Sequence, residues 1–396
     1  MGILLKELQN RDKITRFYKG IIISFNGKRR VLSTSVFNGG IRDDLSYAFN
    51  YNCMADERSC ELHEESYEKE LARNARDLEI DEKVSTGLST AAWMERASIR
   101  TVKYEDLELT AVVTGGIDTN AVRVGDPASY YEKNGEYFFI KPGTINIMLH
   151  INAALPPGAM ARCLVTATEA KTIAVEELFI GSNYSVGLAT GSGTDGTIII
   201  SDLESKNVLT DAGEHSKLGE MIGNVVKDAV KEALNKHTDC GAARQHKLLV
   251  RTKRYGITMG ALWEYYNEHK ELFLTNNSEN SSESSRNDDA VKNRVKDIDI
   301  VNFEKVLNSY NGNSSVVIWS ESYVHILDQM RWNMLEWAEG IRSTRNLSEF
   351  FLDYMGVKNH QWNFILRKDE DTIKQLIEQL KYVIVVLVTN LDVFGM

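Results

Sequence analysis

The stretch TINIMLHINAALPPGAMARCLVTATEAKTIAVEELFIGSNYSVGLATGSGTDGTIIIS, residues 144–201, decides the architecture of this chain. Thr144–Ile151 reads as a buried strand, stopped by Pro156-Pro157. A helix is expected from about Ala159 to Leu178, and Thr197–Ser201 is a further strand. Upstream, Leu107–Thr114 is another buried strand, ending at Gly115-Gly116. Downstream, Asp211 to about Lys236 reads as a helix, with Asp211 and Glu214 as a D-x-x-E capping box. Strands interspersed with helices bury both faces of a sheet, so the fold class is α/β, a mixed sheet with packed helices, with α+β as its variant.

Nearer the start, Gly20–Phe25 and Arg29–Thr34 flank Asn26-Gly27-Lys28, the pattern of a tight β-hairpin. Glu64–Asp77 is polar and predicts an exposed helix. All four prolines lie between Pro127 and Pro157, and the chain after Gly260 is glycine-poor and helical in pattern. The expected organisation is therefore a domain over 1–236, a basic and aromatic helical segment over 237–274, a polar linker over 275–293, and a mainly helical extension over 294–396. The linker, TNNSENSSESSRNDDAVKN, has no apolar face to bury and reads as disordered.

A formal charge of −10 argues against a general nucleic-acid binder, which needs basic surface to neutralise phosphate. Arg244, Lys247, Arg251, Lys253 and Arg254 form one basic run, read as solvated surface or as an anion or partner site. Cys53, Cys60, Cys163 and Cys240 are scattered without a CxxC pair, so free thiols in a reducing compartment are expected. The N-terminal residues lack a signal-peptide pattern, and the longest apolar run, Tyr382–Val388, is too short to span a bilayer. A cytoplasmic protein without a membrane span follows as the expectation.

Three polar clusters carry the chemistry. In the helix after Asp211, Leu218, Ile222, Val225, Ala229 and Ala233 form the core stripe. His215 continues that stripe and so is expected to point inward, where the positive end of the helix dipole favours a neutral ring able to act as base or ligand. A core histidine bonded to a main-chain carbonyl fits the same spacing. Glu169 and Lys171 are two apart and face opposite ways on a regular helix, so both reach one site only if the helix begins near Thr168. Thr166, Glu169 and Thr172 share a face, which makes Glu169 the preferred carboxylate. The loop Gly191-Ser-Gly-Thr-Asp-Gly196 permits close backbone approach, but it is neither GxxxxGK[ST] nor GxGxxG. Two further polar loops contain Asn120, Arg123 and Asp126, and Asn38-Gly39-Gly40.

Taken in order, these residues resemble the adenosylcobinamide amidohydrolase family. The likeness rests on Asn38-Gly39-Gly40, on Asn120, Ala121, Arg123 and Gly125-Asp126-Pro127, on Gly143 to Asn146, on Thr166 to Lys171, on Gly191 to Asp195, and on His215 to Glu220. It covers about residues 20–236, with Ser192 standing where threonine is common. The resemblance implies hydrolysis of the amide joining the corrin side chain to aminopropanol, which yields adenosylcobyric acid for cobalamin salvage. Glu169 or His215 is then the expected base, Asp195 an orienting carboxylate, and Lys171 or the main-chain N–H groups of residues 191–196 the oxyanion partners. Thr194 is an alternative nucleophile, and a metal-bound water held by His215, Asp195 and Glu169 is another route. Asn38, Gly39, Gly40, Asn120, Arg123, Asp126, Asn146, Thr166, Thr168, Gly191, Gly193 and Lys217 are the expected substrate contacts. No cofactor is expected, metal need stays open, the partner is the corrinoid itself, and a homo-oligomer is compatible with this reading. The contrasting class is a non-catalytic corrinoid carrier or sensor whose helical extension recruits a partner. The family pattern does not extend past about residue 237, where Trp263, Tyr265, Tyr266, Trp319, Trp332, Trp337 and Trp362 read as helix core.

Overall fold

A computed structural model describes residues 2–55, 60, 62–129, 131, 143–274, 298–357 and 371–390. The chain divides into two units, Met1–Ala242 and Ala243–Met396. Along the first unit run β1 (Ile3–Glu7), β2 (Lys13–Arg16), β3 (Gly20–Ser24), β4 (Arg29–Ser33), β5 (Gly40–Arg42) and β6 (Tyr47–Asn52). Then come α1 (Tyr67–Asp77), β7 (Ser85–Thr90), β8 (Ser98–Tyr104), β9 (Leu107–Gly116), β10 (Ala121–Val122) and β11 (Thr144–Ile151). The unit ends with α2 (Pro157–Glu177), β12 (Gly191–Ser192), β13 (Gly196–Asp202) and α3 (Lys217–Thr238).

The apolar run at 144–151 is the middle of a six-stranded sheet ordered β5-β4-β13-β11-β9-β8. It pairs in parallel with β13 and antiparallel with β9, and α2 makes the crossover between the two parallel strands. Side chains alternate across the sheet, so Ile145, Ile147, Leu149 and Ile151 pack with α2 and α3, while Met148 faces the other way. There it meets a second sheet, ordered β1-β2-β3-β6-β7, through Ile21, Ile23, Ala48 and Leu88. The outer face of the second sheet is covered by α1 through Leu71, Ala75 and Leu78. The layers are therefore helix, sheet, sheet, helices, and the mixed α/β expectation holds.

Several local expectations are corrected. Asn26-Gly27-Lys28 does not close a hairpin, because β3 pairs with β2 and β6 while β4 pairs with β13 and β5 in the other sheet. What turns the chain at this corner is charge. Arg29, 1% exposed, bonds Asp12 at 2.8 and 2.9 Å and Asp202 at 2.8 Å, and Asp12 also accepts the Asn26 N–H at 2.7 Å. His150 Nε2 lies 2.9 Å from the same Asp12 carboxylate. These groups pin the two sheets together from between them. Helix α1 starts at Tyr67 on a Ser66 cap, and it buries Glu70, Leu71, Asn74 and Ala75 rather than lying wholly exposed. Helix α3 starts at Lys217 on Ser216, whose Oγ accepts the Gly219 N–H, so Asp211 and Glu214 form no capping box. Cys53 and Cys60, with Cα atoms 5.1 Å apart, are joined in a disulfide and are not free thiols. The cysteine argument for a reducing compartment thus rests on the buried Cys163 and Cys240 alone.

The second unit is mainly helical, with α4 (Ala242–Gln245), α5 (Leu248–Thr252), α6 (Met259–Glu268), α7 (Lys270–Leu274), α8 (Ile300–Asn311), α9 (Ser314–Arg331), α10 (Trp337–Tyr354) and α11 (Thr372–Thr389). Trp319 stacks on Phe351 at 4.3 Å and Trp263 packs on Tyr266 and Phe303, as core aromatics should. Trp332 and Trp337 do not: both stand about half exposed where α9 turns into α10. Trp362 and the linker at 275–293 lie outside the described residues. The basic run is not one surface patch, because Arg254 Nη1 turns onto Asp328 at 2.7 Å and Arg251 lies 3.7 Å from Glu321. Among the described residues no helix is long and apolar enough to cross a membrane.

Candidate active site

Two of the polar clusters meet at the end of the sheet where β11 and β13 begin. Asp195 is the junction. Its Oδ1 accepts the Ile145 N–H at 2.9 Å and the Ser192 hydroxyl at 2.6 Å. Its Oδ2 accepts the Ser192 N–H at 3.0 Å and pairs with Lys171 Nζ, reached from α2. Lys171 and Asp195 are only 13% and 12% exposed, so the ion pair is shielded from water. Gly191 packs directly against the pair, and a Cβ there would displace Asp195 Oδ2 and Lys171 Nζ.

The loop of Asn120 joins this junction because β10 pairs with β12, setting Ala121 against Ser192. Asn120 is buried, and a Cβ on Gly193 would come within 3.1 Å of its side-chain amide. Asn120 Nδ2 donates to the Gly143 carbonyl at 3.0 Å, and Thr194 Oγ1 donates to the same oxygen at 2.9 Å. Gly143 has φ +137°, a bend only glycine takes readily, and it delivers the chain into β11. The next residue, Thr144, is buried and donates its hydroxyl to the Thr194 carbonyl at 2.6 Å. One step further, Asn146 Nδ2 donates to Asn50 Oδ1 at 2.8 Å and to the Ser89 carbonyl at 2.9 Å, tying the two sheets at this end.

Other expected site residues brace loops. Asp126 accepts the Arg123 N–H at 2.8 Å and the Ser182 hydroxyl at 2.6 Å. Burial pushes its carboxyl up, but the bonds from Ser182, Ser185 and Arg123 outweigh that and hold it below the usual carboxylate range. Arg123 Nη1 donates to the Leu188 carbonyl at 3.1 Å. Asn38 Nδ2 donates to the carbonyls of Glu82 and Ser85, both at 2.8 Å. A Cβ on Gly39 would collide with the Ser35 carbonyl oxygen, and Gly40 takes φ +77°.

The third cluster assembles elsewhere on α2. That helix begins at Pro157, not near Thr168, so Glu169 and Lys171 do face different ways. Lys171 meets Asp195, whereas Glu169 is exposed and shares a hydrogen bond with Glu214, which holds its carboxyl above the usual range, with burial and the Glu214 charge adding to the effect. Arg162 donates to Glu214 at 2.6 and 2.9 Å. Thr166 Oγ1 donates to the Ala212 carbonyl at 2.8 Å, and the exposed Thr168 bonds back to Leu164 at 2.8 Å. His215 is corrected: it precedes the Ser216 cap and is exposed, so it does not extend the core stripe. Lys217 is exposed, pairs with Glu220, and lies 4.6 Å from the Tyr104 ring centre beside a cleft of about 480 Å³. Among the described residues no group of three or more His, Cys, Asp or Glu side chains could hold a metal ion, so the set His215, Asp195 and Glu169 is not assembled. Thr144 and Ser192 lie within the stretches that carry the resemblance but were not among the expected site residues. The available signal was a hydroxyl at the first position of a fully buried strand, directly after a glycine.

Residues 5–242 match the family model described as adenosylcobinamide amidohydrolase. The chain belongs to the adenosylcobinamide amidohydrolase family. An uncharacterized protein of Methanocaldococcus jannaschii is 35% identical over 236 residues, covering 57% of this chain and 89% of its own length. An adenosylcobinamide amidohydrolase of Methanosarcina mazei is 31% identical over 196 residues, covering 50% of this chain and 78% of its own. A crystal structure of a protein from Pyrococcus horikoshii OT3 covers 65% of this chain and 92% of its own at 12% identity, with a TM-score of 0.30, too slight a likeness to carry an argument. The amidohydrolase family match includes the whole Asn120–Thr194–Asp195–Lys171 junction and stops short of the helical second unit.

Proposed function

We propose that this chain hydrolyses the amide between the corrin side chain and aminopropanol in adenosylcobinamide, releasing adenosylcobyric acid during corrinoid salvage. The observation that carries the reading is the pair of donors, Asn120 Nδ2 and Thr194 Oγ1, closing on one carbonyl oxygen at 3.0 and 2.9 Å. Amide hydrolysis passes through an intermediate whose oxygen becomes an anion, and two fixed donors at this range are what stabilises it. Asp195 holds the loop of Thr194 in place, since it binds Ser192 of that loop and the Ile145 N–H of β11, and Asn120 is held by the Tyr184 hydroxyl at 3.0 Å. Lys171 sets positive charge behind the loop. Glu169 and His215 lie outside this arrangement, Glu169 meeting Glu214 and His215 standing exposed before the Ser216 cap.

The test is incubation of the purified chain with adenosylcobinamide, with and without a chelator, and mass analysis for adenosylcobyric acid and free aminopropanol. Product in both samples is the expected result. Product lost only with chelator would transfer the hydrolytic water to a metal. Tight binding without product would overturn the enzyme reading in favour of a carrier.

A further inference from the structure

We propose that Thr144 is the nucleophile of this site, and that the chain exposes it by cutting its own Gly143–Thr144 peptide bond. The donors Asn120 Nδ2 and Thr194 Oγ1 are already engaged, and the carbonyl they hold is the one immediately before Thr144. An internal glycine carbonyl rarely needs two side-chain donors, one of them held in turn by the Tyr184 hydroxyl at 3.0 Å. A carbonyl that becomes an oxyanion does. The hydroxyl that would attack it belongs to the next residue, is buried, and is anchored at 2.6 Å to the Thr194 carbonyl of the same loop. Position 143 must be glycine for this packing, because a Cβ there would lie 2.9 Å from Asn120 Cβ.

In the cut, Thr144 Oγ attacks the Gly143 carbonyl carbon and the hydroxyl proton passes to the Thr144 nitrogen as the C–N bond breaks. The resulting ester between Gly143 and Thr144 Oγ is hydrolysed by water, leaving a Gly143 carboxylate and a free Thr144 α-amine. The departure of Gly143 vacates the two donors for the carbonyl of an incoming amide. An α-amine titrates near about pH 8, so it serves as a base for its own hydroxyl close to neutral pH. Thr144 Oγ then attacks the substrate carbonyl, the amine leaves with the proton, and water releases the acid. The cut itself needs no substrate, whereas the second role of Thr144 rests on the function proposed above.

The experiment is mass analysis of the purified full chain under denaturing conditions, because β11 sits between β9 and β13 and the pieces stay together when native. Fragments 1–143 and 144–396 are expected, the second beginning Thr-Ile-Asn-Ile. Thr144→Ala gives one uncut chain, Thr144→Ser still cuts, and Asn120→Ala slows the cut by about a hundredfold. Circular dichroism on each variant separates loss of cutting from loss of fold. A wild-type chain that stays whole through long incubation at pH 8 overturns the cut. If Thr144→Ala also hydrolyses adenosylcobinamide at the wild-type rate, the nucleophile falls and the proposed function stands. Fragments without any hydrolysis of adenosylcobinamide would leave the cut standing and sink the substrate reading.

Discussion

Replacing Asp195 by asparagine keeps its shape and removes the charge at the centre of the site. The carboxylate accepts from Ile145 N–H, Ser192 N–H, Ser192 Oγ–H and Lys171 Nζ. An amide has one acceptor oxygen, so two of these donors must face an NH2 group. If the oxygen keeps Ile145 and Ser192 Oγ, the amide nitrogen points at the Lys171 ammonium, which is only 13% exposed. A cation stripped of its partner at that depth costs about 3–5 kcal/mol. With an urea slope of about 2–3 kcal/mol per molar, the unfolding midpoint should fall by about 1–2 M. Far-ultraviolet dichroism of the strand-bearing first unit reads the transition. Lys171→Met should cost less, because Asp195 keeps three donors, and the double variant should recover much of the loss. Asp195→Asn unfolding within about 0.5 kcal/mol of wild type, or Lys171→Met proving the more damaging change, would refute this reasoning.

Arg29→Met leaves Asp12 and Asp202 facing each other in a dry interior and should destabilise the first unit by about 3–5 kcal/mol, measured by urea unfolding. Arg29→Lys should not restore it, since a single ammonium cannot reproduce the fork on Asp12. Burial alone would raise the carboxyl of Asp12, but bonds from His150, Arg29 and the Asn26 N–H bring it below its ordinary value. The folded carboxyl is thus a stronger acid than the unfolded one, so its stabilisation is present above the usual carboxylate range and lost as pH falls through the folded value. Stability against pH should drop on the acid side with proton uptake, and Asp12→Asn should flatten that limb. Glu169→Gln should leave turnover of adenosylcobinamide within a few-fold of wild type, as steady-state rates will show, because Glu169 meets Glu214 and not the Asp195 junction.

The buried strands were legible because their composition left no alternative: Thr144–Ile151 is a strand over the same residues that the apolar run marks. Helix α2 likewise starts where Pro156-Pro157 permit it. The pairing of strands was not legible, since Asn26-Gly27 offers a hairpin locally and the outcome turns on Arg29 meeting Asp12 and Asp202 from distant segments. The site divided in the same way. Lys171 and Asp195 were both in view, but that they face each other depends on the helix phase, which a two-residue spacing leaves open. His215 misled because the core stripe of α3 extends backward past the cap, and a cap is decided by one serine hydroxyl. The setting of Thr144 was hidden because its acceptor, the Thr194 carbonyl, and Asn120 on the neighbouring Gly143 carbonyl come together only once β10 and β12 pair.

The crossing of the chain between sheets at Arg29 has a consequence for synthesis. Strand β4 leaves its sequence neighbour and waits for β13, with Leu32 pairing to Ile199. Roughly 170 residues must leave the ribosome between the two, which takes about 10–30 s at ordinary elongation rates. During that interval β4 is offered only β5, and Leu32, on the face that packs with α2 and α3, has no helix to cover it. The nascent segment therefore depends on being sheltered, or on its early pairings staying weak, until the sheet closes late and all at once.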